Sequence, residues 1–238
     1  MASAPTNTAS PEIVSREDWL VARKALLAKE RALTHALDDL KAERRQLPWV
    51  KIDKPYVFEG PDGPCTLADL FGGRSQLAIY HFMLTPGSEH ICPGCSFIAD
   101  GIDPARRHFE HADLAFAAIS RAPIERIEEV RARMGWTFPW LSSHDSDFNY
   151  DFGVSFTQEQ RDSGTAIYNY GTVIRKSPDM FGTSIFVKGK DGAIYHSYST
   201  YHRGNETLMG ALMWLDFVPK GRNEAEGTMS WVRLHDEY

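Results

Sequence analysis

Two short runs of almost unbroken apolar residues, Leu77 to Met83 and Asp113 to Ser120, constrain the fold of this 238-residue chain more than any other feature. A strand with one wet face alternates apolar and polar residues, whereas a continuous apolar run marks a strand covered on both faces, as in parallel sheets with helical crossovers. The intervening sequence fits that reading. A loop at Pro86-Gly87 leads into Cys92-Pro93-Gly94-Cys95, from which a helix is predicted to run to His111. Pro123, favourable in a first helical turn, opens a helix that closes near Gly135, and Phe138 to Leu141 reads as a further short strand. Thr183 to Lys188 and Ala193 to Tyr198 flank Gly189-Lys190-Asp191-Gly192, a hairpin signal, and a last helix is predicted from Asn205 to Phe217. Tyr56 to Phe58 and the segment after Asp62-Gly63 suggest a short hairpin. The stretch 142–182 is polar, aromatic and glycine-spotted, with one strand signal at Ala166 to Tyr170.

Upstream, residues 1–14 read as a disordered tail and 15–47 as one long helix. Ser15 with Asp18 makes a capping pattern; Trp19, Leu20, Leu26, Leu27, Leu33, Leu37, Leu40 and Leu47 recur at helical spacing, and Pro48 ends the run. A helix of about 45 Å is longer than a small domain's sheet, and its uncovered apolar stripe predicts a homodimer in which it packs across to a partner. The main domain is expected over 48–222, with 223–238 as a C-terminal tail.

Composition removes several function classes. Apolar residues at 42% and charged residues at 24% are ordinary for globular domains. A net charge of −6 argues against nucleic acid as a partner, since such binders need a basic face to release counterions. The longest apolar stretch, Leu114 to Ile119, is far too short to span a bilayer, and Met1 to Pro11 has neither the basic nor the apolar part of an export signal. No membrane partner and a cytoplasmic location are expected. In that compartment a cysteine pair reads as catalytic or metal-binding before it reads as structural.

The order strand, cysteine pair, helix, strand, helix, hairpin, helix is that of a thioredoxin-like mixed α/β sheet flanked by helices, here with the long N-terminal helix added. Cys92-Pro93-Gly94-Cys95 follows a strand at a helix start, where three-residue spacing lets two sulfurs bond and free N–H groups stabilise a thiolate. Cys92 is then the attacking thiolate and Cys95 the resolving thiol. His90, two residues before Cys92, would lower its pKa further if protonated. The alternatives are half of a metal site, with His90, His81 or Cys65 adding ligands, or an inert pair in a degenerate binding domain. No second cysteine pair stands at finger-like spacing, so no metal and no cofactor are assigned. Cys65 reads as a small buried hydrophobe, and His108 and His111 as surface residues.

Tyr80-His81-Phe82-Met83, Cys92-Pro93-Gly94-Cys95-Ser96-Phe97, Ser120-Arg121-Ala122-Pro123, Met134 to Trp140 and Tyr198-Ser199-Thr200-Tyr201 occur in order along the chain. In these motifs the sequence resembles a bacterial thioredoxin-like family, domain of unknown function 899, from the long helix to Arg222. The resemblance implies the fold of the thioredoxin and peroxiredoxin superfamily. Two features depart from that superfamily: Gly182 precedes Thr183 where thioredoxins carry a proline, and Pro86, His90 and Cys92 do not have the peroxiredoxin spacing.

The expected function is therefore thiol–disulfide oxidoreduction through Cys92 and Cys95, with peroxidase character in prospect, toward an unidentified thiol or disulfide substrate and electron donor. The alternative is a non-enzymatic thioredoxin-like module binding a small ligand, metal or protein at the same edge. Arg121, at the end of a parallel strand on that edge, is a candidate cation for a thiolate or anionic substrate, or the partner of a nearby carboxylate. Trp136 and Trp140 are the candidate pocket walls, whereas Tyr195, Tyr198 and Tyr201 read as packing residues.

Overall fold

A computed structural model describes residues 11–238 and divides the chain after Leu47 into two units. The first unit is a single helix, α1 (Arg16–Arg45), beginning one residue after the predicted cap. Ser15 Oγ accepts from the Asp18 N–H at 3.1 Å and donates to the Asp18 carboxylate at 2.7 Å, while Glu17 and Arg44-Arg45 lie at the ends the helix dipole favours. No residue of α1 is buried. The expected tail falls mostly outside the described residues; 11–14 are exposed and irregular.

The second unit runs from Pro48 to Tyr238. In chain order it contains β1 (Val50–Lys51), β2 (Val57–Gly60), β3 (Gly63–Thr66), β4 (Gln76–His81), α2 (Pro93–Ala99), α3 (Ile102–His111), β5 (Leu114–Ser120), α4 (Ile124–Met134) and β6 (Trp140–Ser142). After these come α5 (Phe148–Asp151), α6 (Gln158–Ser163), β7 (Ile167–Tyr168), β8 (Val173–Ile174), β9 (Gly182–Lys188), β10 (Ile194–Tyr201) and α7 (Gly210–Leu215). One eight-stranded sheet has the order β1-β10-β9-β4-β5-β6-β2-β3, and β7 pairs with β8 separately. β4, β5 and β6 are mutually parallel, with Tyr80 beside Ala118 and Ala118 beside Trp140. β9 returns antiparallel on the other side of β4, and β10 follows it through the predicted hairpin. A central parallel pair reached through helices and flanked by an antiparallel hairpin is the thioredoxin-like arrangement.

Both faces of this sheet are covered, which is why β4 and β5 are written as apolar runs. Ala78, Tyr80, Phe82, Phe116 and Ala118 point to one core with Ile98, Ile127, Val130 and Leu212 from α2, α4 and α7. Leu77, Ile79, Ala115, Ala117 and Ile119 point to the other, with Phe58, Phe71, Leu141 and Phe148.

Three expectations are corrected. The helix from the cysteine pair to His111 breaks at Gly101, because Pro104 has no N–H for the Asp100 carbonyl and instead takes a place in the first turn of α3. The last helix splits into a 3-10 segment, His202–Leu208, and α7. There Asn205 is fully buried, accepting from Thr183 Oγ1 at 2.7 Å and donating to the Thr200 carbonyl at 3.2 Å. The stretch 142–182 is ordered around its own core of Val154, Phe156, Ala166, Tyr168, Met180 and Tyr201.

Finally, 223–238 is no tail but a strap over α2. Leu234 is buried in the core of α2, Trp231 meets Phe97 edge-on at 5.9 Å, and His235 Nδ1 lies 2.7 Å from the Asp100 carboxylate. Arg133 of α4 holds Asp236 and Glu237 at 2.8 and 3.0 Å. The domain boundary expected at 222 is absent, since apolar anchors three residues apart in sequence are too few for a periodic signal but enough to pin a short segment.

Candidate functional site: the Cys92–Cys95 turn

Cys92 is the N-cap of α2, in extended backbone conformation, and Pro93 occupies the first helical position. The Cys95 N–H donates to Cys92 Sγ at 3.4 Å, as it would to the oxygen of a capping serine. The Ser96 hydroxyl donates to the Cys92 carbonyl at 3.0 Å, fixing the turn from below. Cys92 is half-buried, whereas Cys95 is 1% exposed, and both are free thiols. The Met83 N–H, just past β4, donates to Cys95 Sγ at 3.5 Å.

The two sulfurs are electrostatically unequal. The Cys95 side chain and the Cys95 and Gly94 N–H groups stabilise a Cys92 thiolate, and against a desolvation penalty they bring its pKa down to about 7. Burial pushes Cys95 well above the ordinary thiol value, and the neighbouring Cys92 adds to that shift. One sulfur is therefore poised to attack near neutral pH while the other keeps its proton until needed. His90 is exposed, and its backbone N–H donates to Ser88 Oγ at 3.2 Å.

Arg121 is in the second of its two expected roles. It binds Asp179 through Nε at 2.6 Å and Nη2 at 3.0 Å, and its Nη1 donates to the Tyr150 hydroxyl at 2.7 Å. Asp179 also accepts from Thr85 and Ser155, each at 2.6 Å. This cluster joins the loop after β4, the end of β5 and the segment before β9.

Trp136 and Trp140 are core residues rather than pocket walls at the cysteine turn. Trp140, 1% exposed, donates to Ser120 Oγ at 2.9 Å, and Trp136, 6% exposed, donates to the Asp100 carboxylate at 2.9 Å. A cleft of about 580 Å³ lies beside the β2–β3 hairpin, where Cys65, Arg74, Glu110, Arg131 and an edge of Trp140 line it and neither Cys92 nor Cys95 does. Half-buried Cys65 stands on that hairpin, not inside the core.

The other proposed metal ligands are also apart from the pair. His81 Nε2 meets Ser184 Oγ at 2.9 Å on the sheet face opposite Cys95, and burial pushes its pKa down to about 3. Among the described residues no three His, Cys, Asp or Glu side chains converge as a metal site.

Three features of the site were missed in the sequence. Met229, from the strap, brings its methyl to the Gly94 turn: a side chain at Gly94 would meet Met229 Cε at 3.6 Å and Cys92 Sγ at 3.9 Å. Asp179 lies in the stretch whose pattern was illegible. Tyr80 lies on β4 beneath α2, in the same core as Cys95. Only for Tyr80 was there a signal, the even-numbered parity it shares with Ala78 and Phe82.

Fold and site together define a thioredoxin-like protein with a Cys-x-x-Cys turn capping the helix after its central strand. The chain belongs to the family described as bacterial protein of unknown function (DUF899), which it matches over residues 8–238. No curated protein matches the chain. Similar solved structures include peroxidoxin BcpB from Mycobacterium tuberculosis, at 16% identity and TM-score 0.45, covering 71% of this chain and 97% of that one. They also include PrxQ of Xylella fastidiosa, at 18% identity and TM-score 0.45, with 70% and 94% covered. A third is the mitochondrial 2-Cys peroxiredoxin of Plasmodium falciparum, at 12% identity and TM-score 0.41, with 70% and 93% covered.

Proposed function

We propose that this protein is a thiol–disulfide oxidoreductase of a reducing cytoplasm, with Cys92 as nucleophile and Cys95 as resolving thiol. The observation that supports this reading most is the pairing of a half-exposed, amide-capped sulfur with a buried, protonated one three residues on. Cys92 thiolate attacks one sulfur of a substrate disulfide, forming a mixed disulfide and expelling the other sulfur as thiolate. Cys95 then loses its proton to solvent and attacks Cys92, closing the Cys92–Cys95 bond and releasing the second substrate thiolate. Two electrons leave the pair, and an external thiol donor returns them. A peroxide is a second oxidant for the same thiolate: its O–O bond breaks, Cys92 becomes a sulfenic acid, and Cys95 displaces water from it.

Mild oxidation followed by thiol counting tests the reading. The chain should lose two of its three thiols and keep Cys65. Before oxidation, the alkylation rate of Cys92 should rise with pH through about 7, as its thiolate forms, well ahead of Cys65, whose pKa burial raises. Retention of all three thiols, or first alkylation at Cys65, overturns the proposal.

We also propose that the chain is a homodimer joined through α1. Trp19, Leu26, Leu33, Leu40 and Leu47 stand seven residues apart, the interval at which side chains of one helix return to a seam against another. Light scattering at micromolar concentration should find the full chain at twice its sequence mass and a form lacking residues 1–46 at its single mass. A monomeric full chain or a dimeric deletion removes the argument.

A further inference from the structure

Cys95 can resolve a mixed disulfide only as a thiolate, and it sits 1% exposed in an apolar core where a bare negative charge is costly. The Met83 N–H is one donor to its sulfur, at 3.5 Å. A buried hydroxyl on β4 lies in the same core. Tyr80 is 2% exposed, belongs to the same core cluster as Cys95, and its hydroxyl is buried without a hydrogen-bond partner in the resting thiol state. A buried phenol left unpaired is unfavourable and calls for an explanation. Tyr168, which also acts on Cys95, is otherwise engaged: its hydroxyl donates to the Phe181 carbonyl at 2.6 Å and accepts from the His202 N–H at 2.8 Å.

We infer that Tyr80 is a further catalytic residue, its free hydroxyl donating a hydrogen bond to the Cys95 sulfur when that sulfur carries negative charge. The inference rests on the redox reading above. In the forward direction Cys95 yields its proton to a solvent base, the Tyr80 O–H turns its hydrogen to the new thiolate, and the Cys95 sulfur bonds to Cys92 as the substrate thiolate departs. In reverse, an incoming donor thiolate attacks Cys92, the Cys92–Cys95 bond breaks, and Cys95 leaves as a thiolate held by the same two donors. Tyr80 keeps its own proton throughout, since burial raises its pKa well above the ordinary phenol value. The ionisable groups acting on Cys95 are Cys92 on its own helix, Tyr80 on β4 and Tyr168 on β7.

Tyr80→Phe removes only the hydroxyl and tests this directly. In a Cys65→Ser background, dithiobis-nitrobenzoate should release one nitrothiolate as Cys92 attacks and a second as Cys95 closes the disulfide. Tyr80→Phe should leave the first phase unchanged, slow the second roughly 10- to 100-fold at neutral pH, and move its pH midpoint upward. The thermal midpoint should stay level or rise, because a buried unpaired hydroxyl has been removed. Equal second phases with an unmoved midpoint overturn the role of Tyr80 while leaving the redox reading intact. A slower first phase together with a lower thermal midpoint also overturns it, by revealing a packing role. A second phase missing from the Cys65→Ser parent defeats both readings.

Discussion

Cys92→Ser should reduce disulfide turnover by on the order of 10³-fold or more, because a serine hydroxyl at neutral pH is not the anion that a thiolate is. Cys95→Ser should behave differently. Cys92 would still attack once, and the substrate would remain attached as a mixed disulfide visible by mass spectrometry. Cys95→Ala, which unlike serine carries no hydroxyl, would also remove the side-chain donor that contributes most to the low pKa of Cys92, so that pKa should climb back toward the ordinary thiol value. At neutral pH the thiolate fraction then falls, and alkylation of Cys92 should be slower in Cys95→Ala than in the parent chain. Turnover surviving in Cys92→Ser, or no trapped adduct in Cys95→Ser, would assign the chemistry elsewhere.

The second large effect is on stability. Asp179, with 4% of its side chain exposed, accepts from Arg121, Thr85 and Ser155, and Arg121 itself is only 15% exposed. Asp179→Ala leaves a guanidinium largely shielded from water without its counter-charge and two hydroxyls without an acceptor. Removing one partner of such a pair costs about 3–5 kcal/mol. Urea unfolding should show that loss, and Asp179→Asn should lose less because the amide oxygen can still accept. The double variant Arg121→Leu with Asp179→Ala should be less destabilised than the sum of the single changes, because no buried charge is left behind. A loss below about 1 kcal/mol for Asp179→Ala would mean that water already screens the pair.

What the amino-acid sequence determined alone was local, because those interactions close within a few residues and need no partner from elsewhere. The Ser15 cap of α1, the Gly189–Gly192 hairpin and the helix opened after Pro123 are of this kind. So is the most important feature, a cysteine three residues ahead of another at a helix start, since the Cys95 N–H must reach whatever caps that turn. The apolar runs of β4 and β5 likewise carried their own message, that helices and loops must cover both faces.

Tertiary structure decided which covering element meets which residue. Apolar periodicity says that a side chain is buried but not against what, so Trp136 and Trp140 were expected as pocket walls, and packing places them in the core. The choice between a substrate-binding and a paired Arg121 turned on Asp179, 58 residues away and in a segment without a pattern. The strap that carries Met229 to the Gly94 turn is pinned by Leu234 and Trp231 against α2, with Arg133 meeting Asp236 across 103 residues. Tyr80 acquired its place beneath Cys95 only when α2 folded back over β4. A one-dimensional pattern fixes the face a residue turns to, and chain closure chooses its neighbour.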